Sequence, residues 1–401
     1  MIEGKKVVSL NHKKSETLKK FRVCSLFCGA GGTDLGFTGG FDHLGVHFDK
    51  LNFDVVWAND IDPDAVSTYK ANQEKFLGSH PIHDGDVRKV DIKSVPDFDV
   101  LLAGFPCQPF SNAGNRKGVS DDRGTLFEEV HRFIAAKTPL AFVLENVKGI
   151  LSCKMHDNET LVVDEIIKRL SKVTTASKKT VKYKISKPTL LKANEYGVPQ
   201  QRQRVFIVGI REDCGVEFNP ESIKNFVNEE VAKKTTLKHV LKGVASKPQS
   251  KEVWAFSPQA ASMVPLIQRS WKDIPYELLP DRLKKIRDNM ERYRAPNFYR
   301  RFGLDEVNGT ITASAQPENC GIIHPLENRR YSVREIARIQ SFPDNFVFSG
   351  RSIADKYKVI GNAIPPVLAH TVAKALDSVL RESSNQTFQD DAAKNKLLKV
   401  G

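Results

Sequence analysis

The sequence lacks long apolar runs: nowhere in its 401 residues does an apolar stretch approach the roughly 20 residues needed to cross a bilayer. The first 20 residues, MIEGKKVVSLNHKKSETLKK, are charged and have no apolar core of the kind a secretion signal carries, so the chain is expected in the cytoplasm with no membrane partner. Cysteine is also scarce. Six are scattered along the chain and none forms a CxxC pair, which argues against a disulfide framework or a zinc ribbon. Cys24 and Cys28 stand four apart, but no second Cys/His pair lies near them to complete a metal site; they read as strand packing, and no metal is expected. There is no internal repeat. Acid is short relative to base: 48 Asp and Glu against 61 Lys and Arg leave a formal charge of +13. That excess favours a polyanionic partner, because neutralising phosphate supplies most non-specific affinity for nucleic acid.

What is present is a rhythm. Short apolar runs end in glycine or acidic turns and are followed by helical stretches: Val23–Phe27 before a glycine loop, Val55–Ala58 before Asn59-Asp60, Val100–Ala103 before Gly104, Ala141–Leu144 before Glu145-Asn146, Val205–Val208 before Gly209. Such alternation implies βαβ units and a parallel sheet with helices on both faces, a Rossmann-like α/β fold. Ligands of these sheets sit beyond the carboxyl ends of the strands, which is where the polar residues of interest fall. After Arg211 the rhythm stops. The expected organisation is a polar lead-in over 1–20, a catalytic and cofactor-binding domain over 21–215, and a smaller irregular domain over 216–325. A segment over 326–382 then returns to complete the first domain, and 383–401 form a polar tail. The returning segment closes on a helix over about 365–380, with an apolar stripe at Val367, Leu368, Val372, Ala375, Leu376 and Leu380. The lysine-rich run 178–184 reads as a solvated loop or sheet edge.

Four places carry chemistry. Cys28-Gly29-Ala30-Gly31-Gly32-Thr33-Asp34-Leu35-Gly36 follows the first strand, and its glycines let backbone approach a ligand at a helix start. The dinucleotide fingerprint would need glycine at Asp34, which weakens a nicotinamide reading. Asp60 ends a strand where acids hold ribose hydroxyls, and Asp86 is placed to meet the amine of an adenine ring. In Gly104-Phe105-Pro106-Cys107-Gln108-Pro109, a cysteine between two prolines belongs neither to a helix nor to a central strand, so its thiol is presented on a constrained loop as a soft nucleophile. Glu145 closes an apolar strand, where desolvation raises a carboxyl pKa towards proton donation near neutrality. Strand alternation puts Arg202 and Arg204 on one face, offering two forks to one cleft.

These blocks, in order SLFCGAGGTDLGF, AND, GDV, GFPCQPFS, RGTLFEE, FVLENVKG, GVPQQRQRVFIVG, RRYSVREIARIQSFPDNF and YKVIGNAIPP, resemble the DNA cytosine-5 methyltransferase family of the bacterial restriction–modification type. The match covers nearly everything outside roughly 216–308. The resemblance implies S-adenosyl-L-methionine as cofactor and double-stranded DNA as partner, with a monomer expected. It implies that the Cys107 thiolate attacks carbon 6 of a flipped-out cytosine, that Glu145 bonds ring nitrogen 3 and the exocyclic amine, and that Arg204 reaches the carbonyl oxygen. Arg202 would position the catalytic loop and a phosphate. Phe27, Gly29 and Gly31 would line the methionine and ribose side of the cofactor pocket, Asp60 and Asp86 its ribose and adenine ends, and Asn362 its closing segment. Phe105, Pro106, Gln108, Ser111, Asn146 and Thr310 would meet the target base or its strand.

Two departures stand out. Ile61 occupies the place of an adenine-stacking aromatic, and Ala363 that of a serine. The irregular region would read the DNA sequence, with Arg282, Lys284, Lys285, Arg287, Arg300 and Arg301 offering phosphate contacts. Alternatives are a tRNA methyltransferase of the same fold, whose CFT signature is absent here, and a DNA-binding regulator with a dead catalytic site, which intact Cys107, Glu145 and both arginines argue against; regulation of its own operon, served by the basic lead-in 1–20, is compatible with the enzyme role. The lack of long regulatory extensions suggests host-DNA protection as the biological role.

Overall fold

Strand alternation builds the sheet from both sides at once. In the computed structural model, which describes residues 20–105, 125–155, 159–244, 252–289 and 297–397, successive side chains of each central strand enter opposite cores. Val100, Leu102, Ala141, Val143, Phe206 and Val208 face one cluster, while Leu101, Ala103, Phe142, Leu144, Val205 and Ile207 face the other. The chain runs through β1 (Phe21–Leu26), α1 (Gly32–Thr38), a short hairpin β2 (Phe41–His43) and β3 (Val46–Phe48), and β4 (Phe53–Asp60). It continues through α2 (Pro63–Ala71), β5 (Ile82–Asp84), β6 (Val100–Ala103), α3 (Thr125–Lys137), β7 (Ala141–Val147) and α4 (Val162–Ser171). Then follow β8 (Lys172–Thr174), β9 (Thr180–Ile185), β10 (Thr189–Lys192) and β11 (Gln203–Arg211).

The sheet order is β5-β4-β1-β6-β7-β11-β9-β8, with β10 also paired to β11. The first five strands are parallel, as their alternation with helices implied. The last is a correction. The run Val205–Val208 does not continue the parallel series; β11 lies antiparallel to β7 from Arg204 opposite Val147 to Ile210 opposite Ala141. Both directions bury the same apolar run on both faces, so burial could not distinguish them. The lysine-rich run 178–184 is another: most of it forms β9, between β11 and the edge strand β8.

One face is covered by α3 and α4, whose Val130, Phe133, Ile134, Ile166 and Leu170 are buried. The other is covered by α1 and the last helix, α11 (Pro366–Leu397). Every residue of the expected stripe from Val367 to Leu380 is buried. The helix backbone continues to Leu397, and no glycine or proline stands between 381 and 397 to stop it.

The stretch 216–325 divides between two cores. Phe218, Ile223, Val231 in α5 (Glu229–Ala232), and Leu237 and Val240 in α6 (Leu237–Val240) join the cluster of the main sheet. A third cluster gathers Met263 of α7 (Pro258–Met263), Trp271, Ile274, Leu283 of α8 (Asp281–Asp288), Phe298, Tyr299 and Ile323. The chain then returns through α9 (Val333–Ile339) and α10 (Ile353–Asn362), each opened by a capping box, at Ser332/Glu335 and Ser352/Asp355.

Candidate active site

The carboxyl ends of the parallel strands open into a cavity of about 510 Å³. Phe27, Gly29, Asp60, Ile61, Asp86, Phe105, Glu145, Asn146, Arg204 and Asn362 all line it, so ten of the expected positions converge there. A larger cavity of about 680 Å³, holding Lys75, Lys234, Lys242 and Arg338, opens beside the β2–β3 hairpin; no strand-end acid lines it. Chemistry at strand ends follows the α/β rule, and the smaller cavity obeys it.

The glycine loop is shaped by Asp60. Gly29, at φ 55°, turns its amide onto Asp60 Oδ2 at 2.7 Å, and the Asp62 amide meets Oδ1 at 2.9 Å. Burial raises the Asp60 pKa, opposed by these amides. Phe27 also holds a left-handed backbone, φ 56°, which only a tightly determined turn keeps in a non-glycine residue. Gly31 is not in the cavity wall. A Cβ there would stand 2.8 Å from Leu77 Cδ1 and 3.0 Å from Tyr69, so it serves helix packing. Gly32 and Gly36 serve the returning segment: a Cβ at Gly32 would lie 2.2 Å from the Ile364 carbonyl oxygen, and one at Gly36 2.4 Å from Ala369 Cβ.

Asn59, to which the sequence reading gave no role, draws the next loop in by donating to the carbonyls of His83 at 3.0 Å and Gly85 at 2.8 Å. Asp86 then caps the turn Val87–Lys89 and takes Arg88 Nη2 at 2.7 Å; that guanidinium holds its carboxyl below the usual range. Arg88 was also missed, and it too lines the cavity. Ile61 is 66% exposed, an apolar side chain left bare at the mouth.

On the opposite wall, Arg204 Nε lies 2.7 Å from Glu145 Oε1, an ion pair whose angle leaves that oxygen without a well-formed hydrogen bond. Burial raises the Glu145 pKa, with Arg204 and Arg202 opposing. Asn146 is buried and donates to the Phe105 carbonyl at 3.0 Å, fixing the chain where it leaves β6. Phe105 is only 3% exposed, with its ring against Phe127. Pro106, Cys107, Gln108 and Ser111 lie outside the described residues.

Arg202 is not beside Arg204 in the cavity. It is 1% exposed and donates to the carbonyls of Ile311 and Gly361, both at 3.0 Å. Alternation stops at Gln203, where β11 begins; Arg202 precedes the strand and escapes its periodicity. Thr310 likewise stays off the cavity, its hydroxyl on the Gln201 carbonyl. Of the expected phosphate contacts, Arg301 is buried and donates to four carbonyls and to Asn328 Oδ1. Arg287 holds the carbonyls of Ile274 and Lys272, and Arg300 pairs with Glu306.

A parallel half-sheet ending in a glycine turn, a strand-end acid and a carboxylate–guanidinium pair define an α/β fold with its polar cavity at the strand ends. Residues 21–378 match the family described as C-5 cytosine-specific DNA methylase. The Type II methyltransferase M.NgoFVII of Neisseria gonorrhoeae is 32% identical over 379 residues, 93% of this chain and 90% of that one. M.Eco47II of Escherichia coli is 34% identical over 382 residues, 90% and 79% respectively. Among solved structures, a putative DNA modification methyltransferase encoded in an E. coli prophage matches with a TM-score of 0.59 at 24% identity, covering 90% of this chain and all of that one. The S. pombe Dnmt2 methyltransferase matches at 0.56 and 17%, over 90% and 99%. These two likenesses are of fold. The chain belongs to the C-5 cytosine-specific DNA methylase family, and its enzyme class is DNA cytosine-5 methyltransferase. Among the described residues, no helix is long and apolar enough to cross a membrane and no cluster of three or more His, Cys, Asp or Glu is arranged for a metal.

Proposed function

We propose that the enzyme methylates carbon 5 of a flipped-out cytosine through a covalent bond from Cys107 to carbon 6. The observation that carries this is the meeting, in one cavity, of the Glu145–Arg204 pair with Gly29 and Asp60. S-adenosylmethionine, when bound, supplies an electrophilic methyl group. The cavity suits it: a desolvated carboxylate at Asp60 for ribose hydroxyls, the Asp86 loop for an adenine amine, and bare Ile61 as an apolar wall for the ring. Ile61 gives contact area without π-stacking.

Cytosine carbon 5 is too weak a nucleophile to be methylated directly. Addition of the Cys107 thiolate to carbon 6 moves the ring electrons towards carbon 5, dividing one hard step into two easier ones. Glu145, with its pKa raised, donates a proton at ring nitrogen 3 as that charge develops, and Arg204 holds both Glu145 and the ring carbonyl oxygen. Once carbon 5 carries the methyl group, it loses its proton to a base; nitrogen 3 returns its proton to Glu145 as the carbon–sulfur bond breaks and the thiolate leaves. The target base must leave the duplex, since carbon 6 is covered within the stack. Asn146, through the Phe105 carbonyl, anchors the chain just past β6, two residues before Cys107. Residues 216–325 supply sequence reading, and the Type II relatives support a role in protecting host DNA beside a cognate restriction enzyme.

Duplex DNA carrying 5-fluorocytosine should form a denaturation-resistant adduct, because fluorine cannot leave as a proton does. Methyl transfer by Cys107→Ala at more than a few per cent of the parent rate would remove that residue from the nucleophile's place.

A further inference from the structure

The strip just before β11 is tied to two distant parts of the chain by buried side chains that the proposed chemistry does not use. Arg202 Nη1 donates to the Ile311 carbonyl at 3.0 Å, and Nη2 to those of Gly361 at 3.0 Å and Asn362 at 3.4 Å. Gln200, fully buried, accepts from the Ile311 amide at 3.0 Å and donates to the side-chain oxygen of Gln340, which in turn donates to the Ala363 carbonyl. The Gln201 amide meets the Asn308 carbonyl at 2.8 Å, and the Thr310 hydroxyl closes onto the Gln201 carbonyl. A Cβ at Gly361 would stand 2.4 Å from the Thr312 carbonyl oxygen, so those two backbones touch. Segment 308–312 is thus bonded on one side to 200–202 and packed on the other against 361. Residues 361–364 form a wall of the active-site cavity.

A buried guanidinium is costly, and among the described residues no carboxylate is hydrogen-bonded to this one and its buried Nε meets no hydrogen-bond partner. Burial and the neighbouring charge of Arg204 both work against its protonated form. A methionine would fill similar space at less desolvation cost. The fork does what an apolar side chain or a lysine cannot: its two terminal nitrogens grip carbonyls of two different segments at once, in a fixed plane.

We propose that Arg202 is a positioning residue that clamps segment 308–312, at the border of the DNA-reading region, to Gly361–Asn362 in the cofactor wall, so that the state of that segment sets cofactor affinity. This rests on reading the cavity as the cofactor and target-base site. Arg204 works on the base; Arg202 works on the wall. The two arginines of one motif therefore separate in kinetics.

The test uses the full chain, tritiated S-adenosylmethionine and kilobase-length duplex DNA of random sequence. Arg202→Lys keeps the charge but cannot span both carbonyls. It should raise KM for S-adenosylmethionine about tenfold while kcat at saturation stays within about threefold, with the 5-fluorocytosine adduct still formed. Thr310→Ala should raise the same KM about threefold in the parent but add nothing in the Arg202→Lys background, because the path from segment 308–312 has already been cut. A fall in kcat with KM unchanged would place Arg202 on the target base and overturn the clamp. So would additive effects of the two substitutions, or a lowered Tm with KM and kcat both intact. Failure of the underlying reading has a different mark: S-adenosylhomocysteine binding by the parent that Asp60→Ala leaves unaltered.

Discussion

The sheet half of this enzyme and its third cluster are held together in different ways, and the difference corrects what composition suggests about DNA binding. The sheet half is layered, and alternating apolar residues on each strand meet helices on two faces. The third cluster has few regular elements, so many backbone carbonyls need donors that no ladder supplies. Arginine forks provide them. Arg301 serves Val264, Ile267, His324 and Glu327 there; a second fork, Arg330, does the same at the irregular border of the main cluster, serving Trp254, Ala255 and Ala315 and lying over the rings of Trp254 and Phe256. Part of the charge excess that looks like a DNA-binding surface is therefore internal scaffolding. Arg282 and Lys285 remain exposed on α8.

The largest expected effect breaks this scaffold. Arg301→Ala orphans five buried or half-buried acceptors and should destabilise the third cluster by about 3–5 kcal/mol. Hydrogen exchange should show protection lost over 258–288 while segment 308–312, packed on the main core, stays protected, with DNA binding abolished and S-adenosylhomocysteine affinity within about threefold of the parent. Loss of cofactor binding in step with DNA binding would mean the two regions unfold as one unit.

Asp60→Ala acts in the other half. It should weaken S-adenosylhomocysteine binding by about 2 kcal/mol, roughly thirtyfold by calorimetry, and leave salt-dependent DNA binding alone. Unchanged affinity would contradict the pocket assignment.

Acid should also weaken the sheet half first. Burial pushes the pKa values of His43, His80 and His370 down to about 4, so between about pH 6.5 and 4 the unfolded chain takes up protons that the folded chain refuses, and stability falls as pH falls. His80 is the most exposed of the three and contributes least. Asp34 runs the opposite way. Burial pushes its pKa up to about 6, against the hydroxyls of Ser25 and Tyr69, so the folded chain holds a proton that the unfolded one releases, and this gains stability as pH falls from about 6 to 4. Urea unfolding should therefore show a net loss from pH 7 to 5. In Asp34→Asn the loss should be steeper by about 1 kcal/mol between pH 6 and 5; an unchanged slope would show that Asp34 does not titrate in that window.

The smallest effect concerns surface cations. Arg282→Ala or Lys285→Ala should change stability by no more than about 0.5 kcal/mol. Each should flatten the dependence of DNA affinity on salt by about one unit of slope if its phosphate contact is real. A slope identical to the parent for both would move the DNA track off α8.

The sheet half was legible in the sequence because burial on a pleated strand leaves a period in the chain, and because strand ends are where α/β enzymes place polar residues. Asp60, Asp86, Glu145 and Arg204 were each found by that logic, and all line one cavity. Asn59 and Arg88 escaped it. One turns its amide back onto two carbonyls, the other pairs with an acid two residues away, and neither carries a periodic signal. Gly31 looked like a ligand-binding glycine but has close neighbours, Leu77 and Tyr69, that no local pattern reveals. Asp34, noticed as the residue that spoils a dinucleotide fingerprint, holds Ser25 and Tyr69 beneath the loop.

The sequence by itself determined which residue types stand at the strand ends, the layered α/β class and the family, since these depend on local order and periodic burial. Tertiary structure alone decided the antiparallel direction of β11, and which arginines face a ligand and which are spent on carbonyls. An arginine fork looks the same in a sequence whether its acceptors are phosphates or backbone oxygens a hundred residues away; only the folded chain determines which of them it meets.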